Sequence, residues 1–286
     1  MQNQPLISVI IPTYNEEARI PVAIQSIVDQ TYKNIEIIVV DDQSTDSTEK
    51  VIKEFIKKDQ RIRYLKVPKN DKSRIDWRGV NVNAGCFARN FGMEHAKGEW
   101  IAFQDADDAS LRNRIETQLD LATRYKAVCI TTACVRFEEK WIGKELDAEK
   151  YLEAHKDIVI PPETIVEIGM RAKGVLMSKW FPHSYIPFTV KKWFPFARKL
   201  FFKTWDFYPG AGNSPFFKRE VFEKVRYRKL IDRVWPAQSG RGTDRDFLFQ
   251  VAETFKNSYS FQLPLYLWRV RGNYDPYPNW EKYIKK

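Results

Sequence analysis

The 286-residue sequence contains three cysteines, three histidines and no long apolar run. Cys86, Cys129 and Cys134 are too irregularly spaced for a disulfide framework or a zinc site, so we expect buried free thiols in a reducing compartment. No stretch approaches the roughly 20 apolar residues that span a bilayer, and residues 1–5 carry no basic leader. The chain is therefore expected to be cytoplasmic, either soluble or attached peripherally to the inner face of the membrane.

Two common nucleotide-binding signatures are also missing. No G-x-G-x-x-G follows the first apolar stretch, and G-x-x-x-x-G-K-[ST] occurs nowhere, which argues against a dinucleotide enzyme and a P-loop ATPase. Positive charge is in excess, at a formal +10, which indicates nucleic acid, anionic lipid or a phosphorylated substrate as partner. A hydrophobic content of 43% predicts a sizeable core, in one large domain or two joined halves.

Strands and helices alternate along the first third of the chain. Residues 6–11 form a β-branched run typical of a strand buried on both faces, and helical spacing follows at residues 20–28. A strand at 35–40, a helix to about Lys58 and a strand at 62–67 come next. This order predicts an open parallel sheet, in which ligands bind beyond the carboxyl ends of the strands.

Polar side chains follow three of these strands, in residues 13–17, 41–46 and 105–108. In the last group, alternation along an extended strand places Asp105 and Asp107 on one side and Asp108 on the other. Clustered carboxylates at the edge of a buried sheet need a cation or several donors to neutralise them. Because magnesium and manganese prefer oxygen ligands, the cluster favours a site for a metal and a diphosphate.

The alternative for this cluster is a solvated acidic turn at the start of a helix. A helix is predicted from about Leu111, and Asp107, Asp108 or Ser110 could be its N-cap. Short acidic clusters are common at such positions. The recurrence of polar groups at three strand ends favours the ligand site.

A second candidate segment, residues 81–98, is rich in small residues. Ala84, Gly85 and Ala88 permit close approach of the backbone to a ligand, and Arg89 could bind phosphate or a base. An ordinary helix that begins among glycine and asparagine is the alternative.

Four segments together resemble the family 2 glycosyltransferases, which have the glycosyltransferase A-type fold. They are residues 8–16 (SVIIPTYNE), 38–46 (IVVDDQSTD), 88–92 (ARNFG) and 96–108 (AKGEWIAFQDADD). The resemblance implies an α/β fold with a Rossmann-like, mostly parallel sheet flanked by helices. A nucleotide-sugar-binding half at 1–115 would join an acceptor-binding half at 116–270, with a basic aromatic insertion at about 165–210 and a tail at 271–286.

The resemblance also implies roles for residues of the first half. Pro12 and Tyr14 would line the nucleotide pocket, and Asp42 would accept a hydrogen bond from a pyrimidine ring. Asp105 and Asp107 would form the D-x-D element that holds the ribose and the metal-bridged diphosphate, with Asp107 as the metal ligand. Three further residues are candidates near base, diphosphate or metal: Arg89, Glu16 and Asp108.

The second half matches less regularly. Residues 212–222 resemble the family's strand and helix beneath the acceptor, and residues 240–249 (GRGTDRDFLF) resemble its E-D-x-x-[LF] stretch. Thr243 stands where relatives often have Glu, so Asp244 is predicted as the general base, with Asp246 as the alternative. A helix N-cap at Thr243 or Asp244 is the structural alternative. Arg271 occupies the region of a histidine found in relatives and could act as a cationic clamp, not as a metal ligand.

Residues 171–205 alternate Lys and Arg with Trp and Phe. This composition suits an anionic membrane surface, a carbohydrate-binding platform for the acceptor, or core aromatics with surface lysines. Nucleic acid is disfavoured by the D-x-D context. The predicted function is an inverting glycosyltransferase that uses Mn²⁺ or Mg²⁺ and a nucleotide-sugar, expected to be a UDP-sugar, with a glycan or lipid-linked acceptor. The alternatives are a sugar-nucleotide pyrophosphorylase and a non-catalytic glycan- or membrane-binding protein.

Overall fold

The computed structural model describes residues 4–68, 85–173, 206–229, 232–235, 242–270 and 277–285. Within these ranges nine strands form one sheet, in the order β3-β2-β1-β4-β8-β6-β9-β5, with β7 paired to β9. The strands are β1 Ile7–Thr13, β2 Ile35–Asp41, β3 Ile62–Lys66, β4 Trp100–Phe103, β5 Ala109–Ser110, β6 Cys129–Arg136, β7 Val159–Ile160, β8 Phe216–Lys218 and β9 Ser258–Trp268.

Helices cover both faces of this sheet. They are α1 Ile20–Val28, α2 Thr48–Lys58, α3 Cys86–His95, α4 Arg114–Arg124, α5 Ala148–Ala154, α6 Pro162–Ala172, α7 Glu220–Lys224 and α8 Thr243–Phe255. Short 3₁₀ helices lie at Glu139–Trp141 and Trp280–Tyr283.

Alternation along the parallel strands explains the two cores. Val9 and Ile11 of β1 pack in one apolar cluster with residues of α1, whereas Ile10 packs in a second cluster with residues of α3 and α8. Successive side chains of a strand point to opposite faces, so an unbroken apolar run needs cover on both sides. The residues of β1 and β2 are accordingly almost all buried.

The first four strands in chain order are parallel, as predicted. The second half adds antiparallel pairs: β8 lies between β4 and β6 and runs antiparallel to both. β9 is parallel to β6 and antiparallel to β5 and β7. Because β4 pairs with β8, and β5 with β9, the sheet is continuous through both halves of the chain.

Two further expectations can be compared with the structure. The three cysteines are buried free thiols, as predicted, and burial raises the pKa of Cys129 to about 12. Helix α4 begins at Arg114 with Asn113 as its N-cap residue, so the alternative in which Asp107, Asp108 or Ser110 is the N-cap is not found. Among the described residues, each helix is too short or too polar to cross a bilayer.

Candidate functional site

A cleft of about 400 Å³ lies at the carboxyl ends of β1, β2 and β4, beside the start of α8. This volume is within the range of small-molecule sites. Eleven of the residues singled out in the sequence line it: Pro12, Tyr14, Glu16, Asp42, Gly85, Ala88, Arg89, Asp105, Asp107, Asp108 and Asp244. Segments that are far apart in the chain therefore meet in one concave surface, where the topology of an open α/β sheet predicts a ligand.

Residues 104–108, here named the acidic turn, connect β4 to β5. Strand β4 ends at Phe103, and the backbone N–H of Asp108 donates a hydrogen bond to the Asp105 carbonyl at 3.2 Å. One carboxylate oxygen from each of Asp105, Asp107 and Asp108 lies within 4.8 Å of the others. The prediction that Asp108 points away from its neighbours is wrong, because the chain turns here and strand alternation no longer applies.

Burial and mutual repulsion act on these carboxylates. Burial raises the pKa of Asp108 to about 8, with the charges of Asp105 and Asp107 adding to the effect. Burial also raises the pKa of Asp105 to about 6, where Arg89 opposes the shift and Asp244 and Asp107 reinforce it. Three clustered oxygen ligands with this repulsion fit a hard divalent cation, which would relieve the repulsion between them.

Asp108 also joins the acidic turn to the second half of the chain. It is 2% exposed and accepts hydrogen bonds from the backbone N–H of Arg269 at 2.7 Å and from Asn213 Nδ2 at 3.2 Å. Arg269 Nε in turn donates to the Asp107 carbonyl at 2.8 Å. The carboxylate of Asp108 is therefore engaged by the protein itself.

Asp107 is the most open of the three acids, with 41% of its side chain exposed. A guanidinium nitrogen of Arg19 lies 3.9 Å from its carboxylate, and the same arginine pairs with Glu16 at 2.7 Å. Burial and the charge of Asp107 raise the pKa of Glu16, against the effect of Arg19. Glu16 is thus a half-buried residue of the cleft surface, paired with the exposed Arg19 beside the acidic turn.

The tips of β1 and β2 form another wall of the cleft. Asp42, directly after β2, is 3% exposed and donates its backbone N–H to the Thr13 carbonyl at 2.8 Å. Pro12 is the last but one residue of β1 and Tyr14 directly follows the strand, and both line the cleft. The residues predicted to contact a nucleotide base therefore lie together on one side of the cleft. This side is formed by β1 and β2, which are separated by β4 from the strands of the second half of the chain.

Arg89 lies on α3, lines the cleft and is close to the carboxylates of Asp105 and Asp244. It donates to Asp105 at 2.6 Å, and its Nε lies 3.8 Å from Asp244. The rings of Phe103 and Tyr227 flank the guanidinium at 5.7 and 5.6 Å. Burial would lower the pKa of Arg89, but the charges of Asp244 and Asp105 raise it above its ordinary value.

Asp244 and Asp246, which the sequence could not separate, have different surroundings. Asp244 is in the first turn of α8 and lines the cleft, and its Oδ1 has no hydrogen-bond partner among the described residues. Asp246 is 1% exposed and accepts hydrogen bonds from Arg228 at 2.7 and 2.9 Å and from the backbone N–H of Val234. Asp246 therefore holds the segment before α8 and does not line the cleft.

Helix α8 has neither Thr243 nor Asp244 as its N-cap residue, so the structural alternative for these two residues is not found. Gly242 is the N-cap residue, in the left-handed region with φ 91°. A Cβ added at Gly212 would lie 2.9 Å from the Asp244 Cβ. Gly242 thus permits the turn into α8 at the cleft, and Gly212 permits its backbone to lie close to Asp244.

Two predictions fall outside the described residues. Arg271 follows the end of the range 242–270, and the basic aromatic segment at 171–205 is described only through residue 173. Their predicted roles therefore stay predictions.

Several residues behind the acidic turn were not predicted from the sequence. Gln104, Arg114 and Tyr266 form a buried hydrogen-bonded group there, and Trp268 lines the cleft. The helical spacing of Arg114, Gln118 and Leu121 is a sequence signal that could have placed Arg114 on the buried face of α4. Tyr266 lies in an apolar strand without any local signal of a polar role.

A family model described as Glycosyl transferase family 2 matches residues 8–226. An uncharacterised glycosyltransferase of Haemophilus influenzae is 38% identical over 118 residues, which cover 41% of this chain and 42% of that protein. GlyA of Streptococcus pneumoniae is 32% identical over 61% of this chain and 23% of its own length. The GalNAc(5)-diNAcBac-PP-undecaprenol beta-1,3-glucosyltransferase of Campylobacter jejuni is 31% identical over 63% of this chain and 56% of its own length. The chain thus spans about half or less of these relatives' lengths.

Solved structures are similar in fold. S. aureus TarS 1–349 superposes with a TM-score of 0.55 at 14% identity, over 92% of this chain and 60% of that one, and has also been solved with UDP and UDP-GlcNAc. Mannosyltransferase PcManGT from Pyrobaculum calidifontis, in complex with GDP-Man and Mn²⁺, has a TM-score of 0.54 at 17% identity, over 95% of this chain and 59% of that one. The predicted α/β fold is confirmed.

Proposed function

Because the chain belongs to glycosyl transferase family 2, we propose that it moves a sugar from a nucleotide-sugar to a hydroxyl group of a glycan or lipid-linked acceptor, with inversion at the anomeric carbon. The observation that carries this proposal is the convergence of Asp42, the acidic turn and Asp244 on one cleft. A base-recognising group, a diphosphate and metal site and a proton acceptor are the parts that such a transfer needs.

In this proposal the first half of the chain binds the donor. Pro12, Tyr14 and Asp42 would contact the base, and Asp105 would hold the ribose and diphosphate. A UDP-sugar is the preferred donor, since an acidic side chain at Asp42 can accept the N–H of a uracil ring. The UDP complexes of TarS are consistent with that choice, whereas the GDP-Man complex of PcManGT keeps a guanine donor as the competing outcome.

Asp107, with Asp105 or Asp108 beside it, would hold a divalent cation. When bound, Mn²⁺ or Mg²⁺ would supply positive charge for the departing diphosphate. Asp107 is the best placed ligand because it is exposed to the cleft, while Asp108 is already engaged by Arg269 and Asn213. The Mn²⁺ complex of PcManGT supports a metal of this class.

Asp244 would act as the general base in the same cleft. Its carboxylate would take the proton of the acceptor hydroxyl as that oxygen attacks the anomeric carbon from the face opposite the diphosphate. The proton ends on Asp244, the new bond joins acceptor oxygen to sugar, and the nucleoside diphosphate leaves. Asp244 suits this role because it lines the cleft, and Asp246 does not because its oxygens are already bonded.

The second half, residues 116–270, would contribute the acceptor site. The Campylobacter relative acts, by its name, on an undecaprenol-linked saccharide, which favours an acceptor of the lipid-linked class. A peripheral position at the membrane through residues 171–205 is part of the same proposal. That role is consistent with the formal net charge of +10.

Thermal-shift measurements with UDP, GDP, CMP and dTDP, each with and without Mn²⁺, test the donor site. We expect UDP with Mn²⁺ to raise Tm most and EDTA to remove the shift. A nucleotide bound at about 100 times its Kd would stabilise the protein by about 2.7 kcal/mol. The reaction is tested by incubating the protein with the corresponding nucleotide-sugars and measuring the free nucleoside diphosphate that is released.

Each alternative has its own signature. A pyrophosphorylase would release pyrophosphate from a nucleoside triphosphate and a sugar phosphate. A non-catalytic binding protein would hydrolyse none of the nucleotide-sugars and yet bind glycans or anionic vesicles. Either result would replace the proposed function.

A further inference from the structure

The acidic turn lies outside any strand or helix, so its shape depends on the side chains around it. The backbone N–H of Asp105 donates a hydrogen bond to the hydroxyl oxygen of Tyr266 at 2.9 Å. Asp105 follows β4, whereas Tyr266 belongs to β9 in the second half of the chain. The first acid of the D-x-D element is therefore held by a side chain from a distant strand.

Tyr266 is itself firmly fixed. It is fully buried, and its backbone lies in register between Ser110 of β5 and Cys134 of β6. The guanidinium carbon of Arg114 lies 5.1 Å from the centre of its ring. A buried aromatic side chain in an inner strand has few rotamers available, so its hydroxyl occupies one position.

Arg114 and Ser110 determine which group of Gln104 reaches that hydroxyl. The Gln104 Oε1 accepts hydrogen bonds from Ser110 Oγ at 2.6 Å and from Arg114 at 3.0 Å. Its Nε2 therefore points the other way and donates to the Tyr266 hydroxyl at 3.2 Å. This orientation of the amide is dictated by the two donors at its oxygen.

The hydroxyl group of Tyr266 can also donate one hydrogen bond. A phenol oxygen has two lone pairs and one proton, and both lone pairs here receive N–H groups, from Asp105 and Gln104. The proton is thus available to the carboxylate of Asp108, to which Tyr266 donates a side-chain hydrogen bond. One hydroxyl group therefore contacts both ends of the acidic turn.

We propose that Tyr266 is a positioning residue for metal and diphosphate binding, because its hydroxyl holds the Asp105 backbone and the Asp108 carboxylate at the spacing that leaves Asp107 free to bind the cation. This inference rests on the proposed function, in which the acidic turn binds Mn²⁺ or Mg²⁺ and a nucleotide diphosphate. Tyr266 touches neither ligand and acts through the turn.

The test is Tyr266→Phe, which removes one oxygen atom. Mn²⁺ binding is measured by electron paramagnetic resonance of free Mn²⁺, with the metal alone and with UDP. Loss of an outer contact of a metal site typically weakens affinity 10- to 100-fold, and we expect a loss of about that size. The matched control is Tyr32→Phe, because Tyr32 is also buried but donates to the Pro5 carbonyl, remote from the cleft. Tyr32→Phe is expected to bind Mn²⁺ like the wild type.

A second readout separates positioning from general destabilisation. With Tyr266→Phe, donor hydrolysis at saturating Mn²⁺ is expected to return toward the wild-type kcat, while the Mn²⁺ concentration for half-maximal rate stays raised. A lower Tm with unchanged Mn²⁺ affinity would mean a structural role only and would overturn the inference.

If Tyr266→Phe does not fold, Ser110→Ala carries the test, because it removes one donor that orients Gln104 toward the tyrosine. A smaller weakening of Mn²⁺ binding is then expected, and unchanged binding would overturn the inference. If the wild type binds Mn²⁺ and the Tyr266→Phe variant binds it with equal affinity, this inference alone is refuted. Wild-type protein that binds no Mn²⁺, with or without UDP, would refute the proposed metal dependence and this inference together.

Discussion

Arg89 and Asp105 form an ion pair at 2.6 Å, with 5% of the arginine side chain and 25% of the aspartate side chain exposed. The same guanidinium lies 3.8 Å from Asp244. One buried cation is therefore shared between the proposed donor-binding acid and the proposed general base. Because Arg89 lies close to both, it offsets the repulsion between two carboxylates that come from distant segments and face the same cleft.

Replacement of Arg89 by Met should reduce both stability and activity. Removing one partner of a buried ion pair costs about 3–5 kcal/mol, and the lower end applies here because Asp105 is 25% exposed. Urea unfolding measures the loss of stability. The matched control is Arg124→Met, whose pairs with Asp120 and Glu149 are exposed and worth about 0–1 kcal/mol. Equal losses in the two variants would contradict the shared-cation role of Arg89.

Replacement of Asp244 by Asn should abolish most turnover and preserve donor binding. General base catalysis typically contributes about 10²–10⁴-fold, so kcat is expected to fall by that factor. Release of UDP from the donor in the presence of acceptor measures kcat, and thermal shift measures donor binding. Asp246→Asn provides the comparison, since it removes charge from the contact with Arg228 and should lower stability. A variant Asp244→Asn with wild-type kcat would rule out this residue as the base.

Replacement of Asp107 by Ala should weaken both metal and donor binding, because the carboxylate that best reaches the cation is lost. Calorimetric titration with Mn²⁺, before and after addition of UDP, measures both effects. Asp120→Ala is the control, as Asp120 is an exposed acid on α4 that pairs with Arg124. Donor binding by Asp107→Ala that remains metal-dependent with unchanged affinity would contradict the assignment.

Replacement of Gly212 by Ala should lower kcat more than donor affinity. The new Cβ would lie 2.9 Å from the Asp244 Cβ, so α8 or residue 212 must move. A displacement of the base by about 1 Å can cost roughly 10²-fold in rate. Gly143→Ala is a control remote from the cleft, with a strained backbone at φ 74° but no atom within 4 Å of its Cβ. The Gly143→Ala control should lower Tm and leave kcat unchanged. A Gly212→Ala enzyme with the wild-type kcat would show that the contact relaxes without moving Asp244.

Glu36 gives the expected pH dependence of stability. Burial tends to raise its pKa, but hydrogen bonds from Ser8 Oγ, the Lys97 N–H and Arg63 outweigh burial and lower the pKa below its ordinary value of 4.5. A lowered folded-state pKa stabilises the protein above pH 4.5, and this contribution is lost as the pH falls through the folded-state pKa. Glu36→Gln should therefore cost about 1–3 kcal/mol at neutral pH.

The measurement is the free energy of unfolding in urea for wild type and Glu36→Gln, at about pH 7 and about pH 3.5. The difference between the two proteins should shrink at the lower pH, because Glu36 takes up a proton more readily in the unfolded wild-type chain than in the folded protein. Glu54→Gln is the control, because Glu54 pairs with Lys57 on the exposed face of α2. A difference that grows on acidification would contradict the sign of the shift.

Local patterns determined most of the fold of this protein. The apolar run of β1 and the helical spacing of α1 follow from burial on two faces and on one face, and neither depends on distant residues. The same patterns located the polar strand ends, and the topology of parallel strands indicated that they meet. That is why the segments holding Asp42 and Asp107 were expected to meet, whereas Asp244 was named only from the resemblance to the family; all three line one cleft.

Tertiary structure decided what each acid contacts. Asp108 joins its neighbours because the chain turns after Phe103, and Asp246 leaves the cleft because Arg228 and the backbone around Val234 hold it. Tyr266 reaches Asp105 across 161 residues of sequence. Such contacts depend on how separate strands and helices pack together. The residues next to a side chain in the sequence do not show which side chain of another element it contacts.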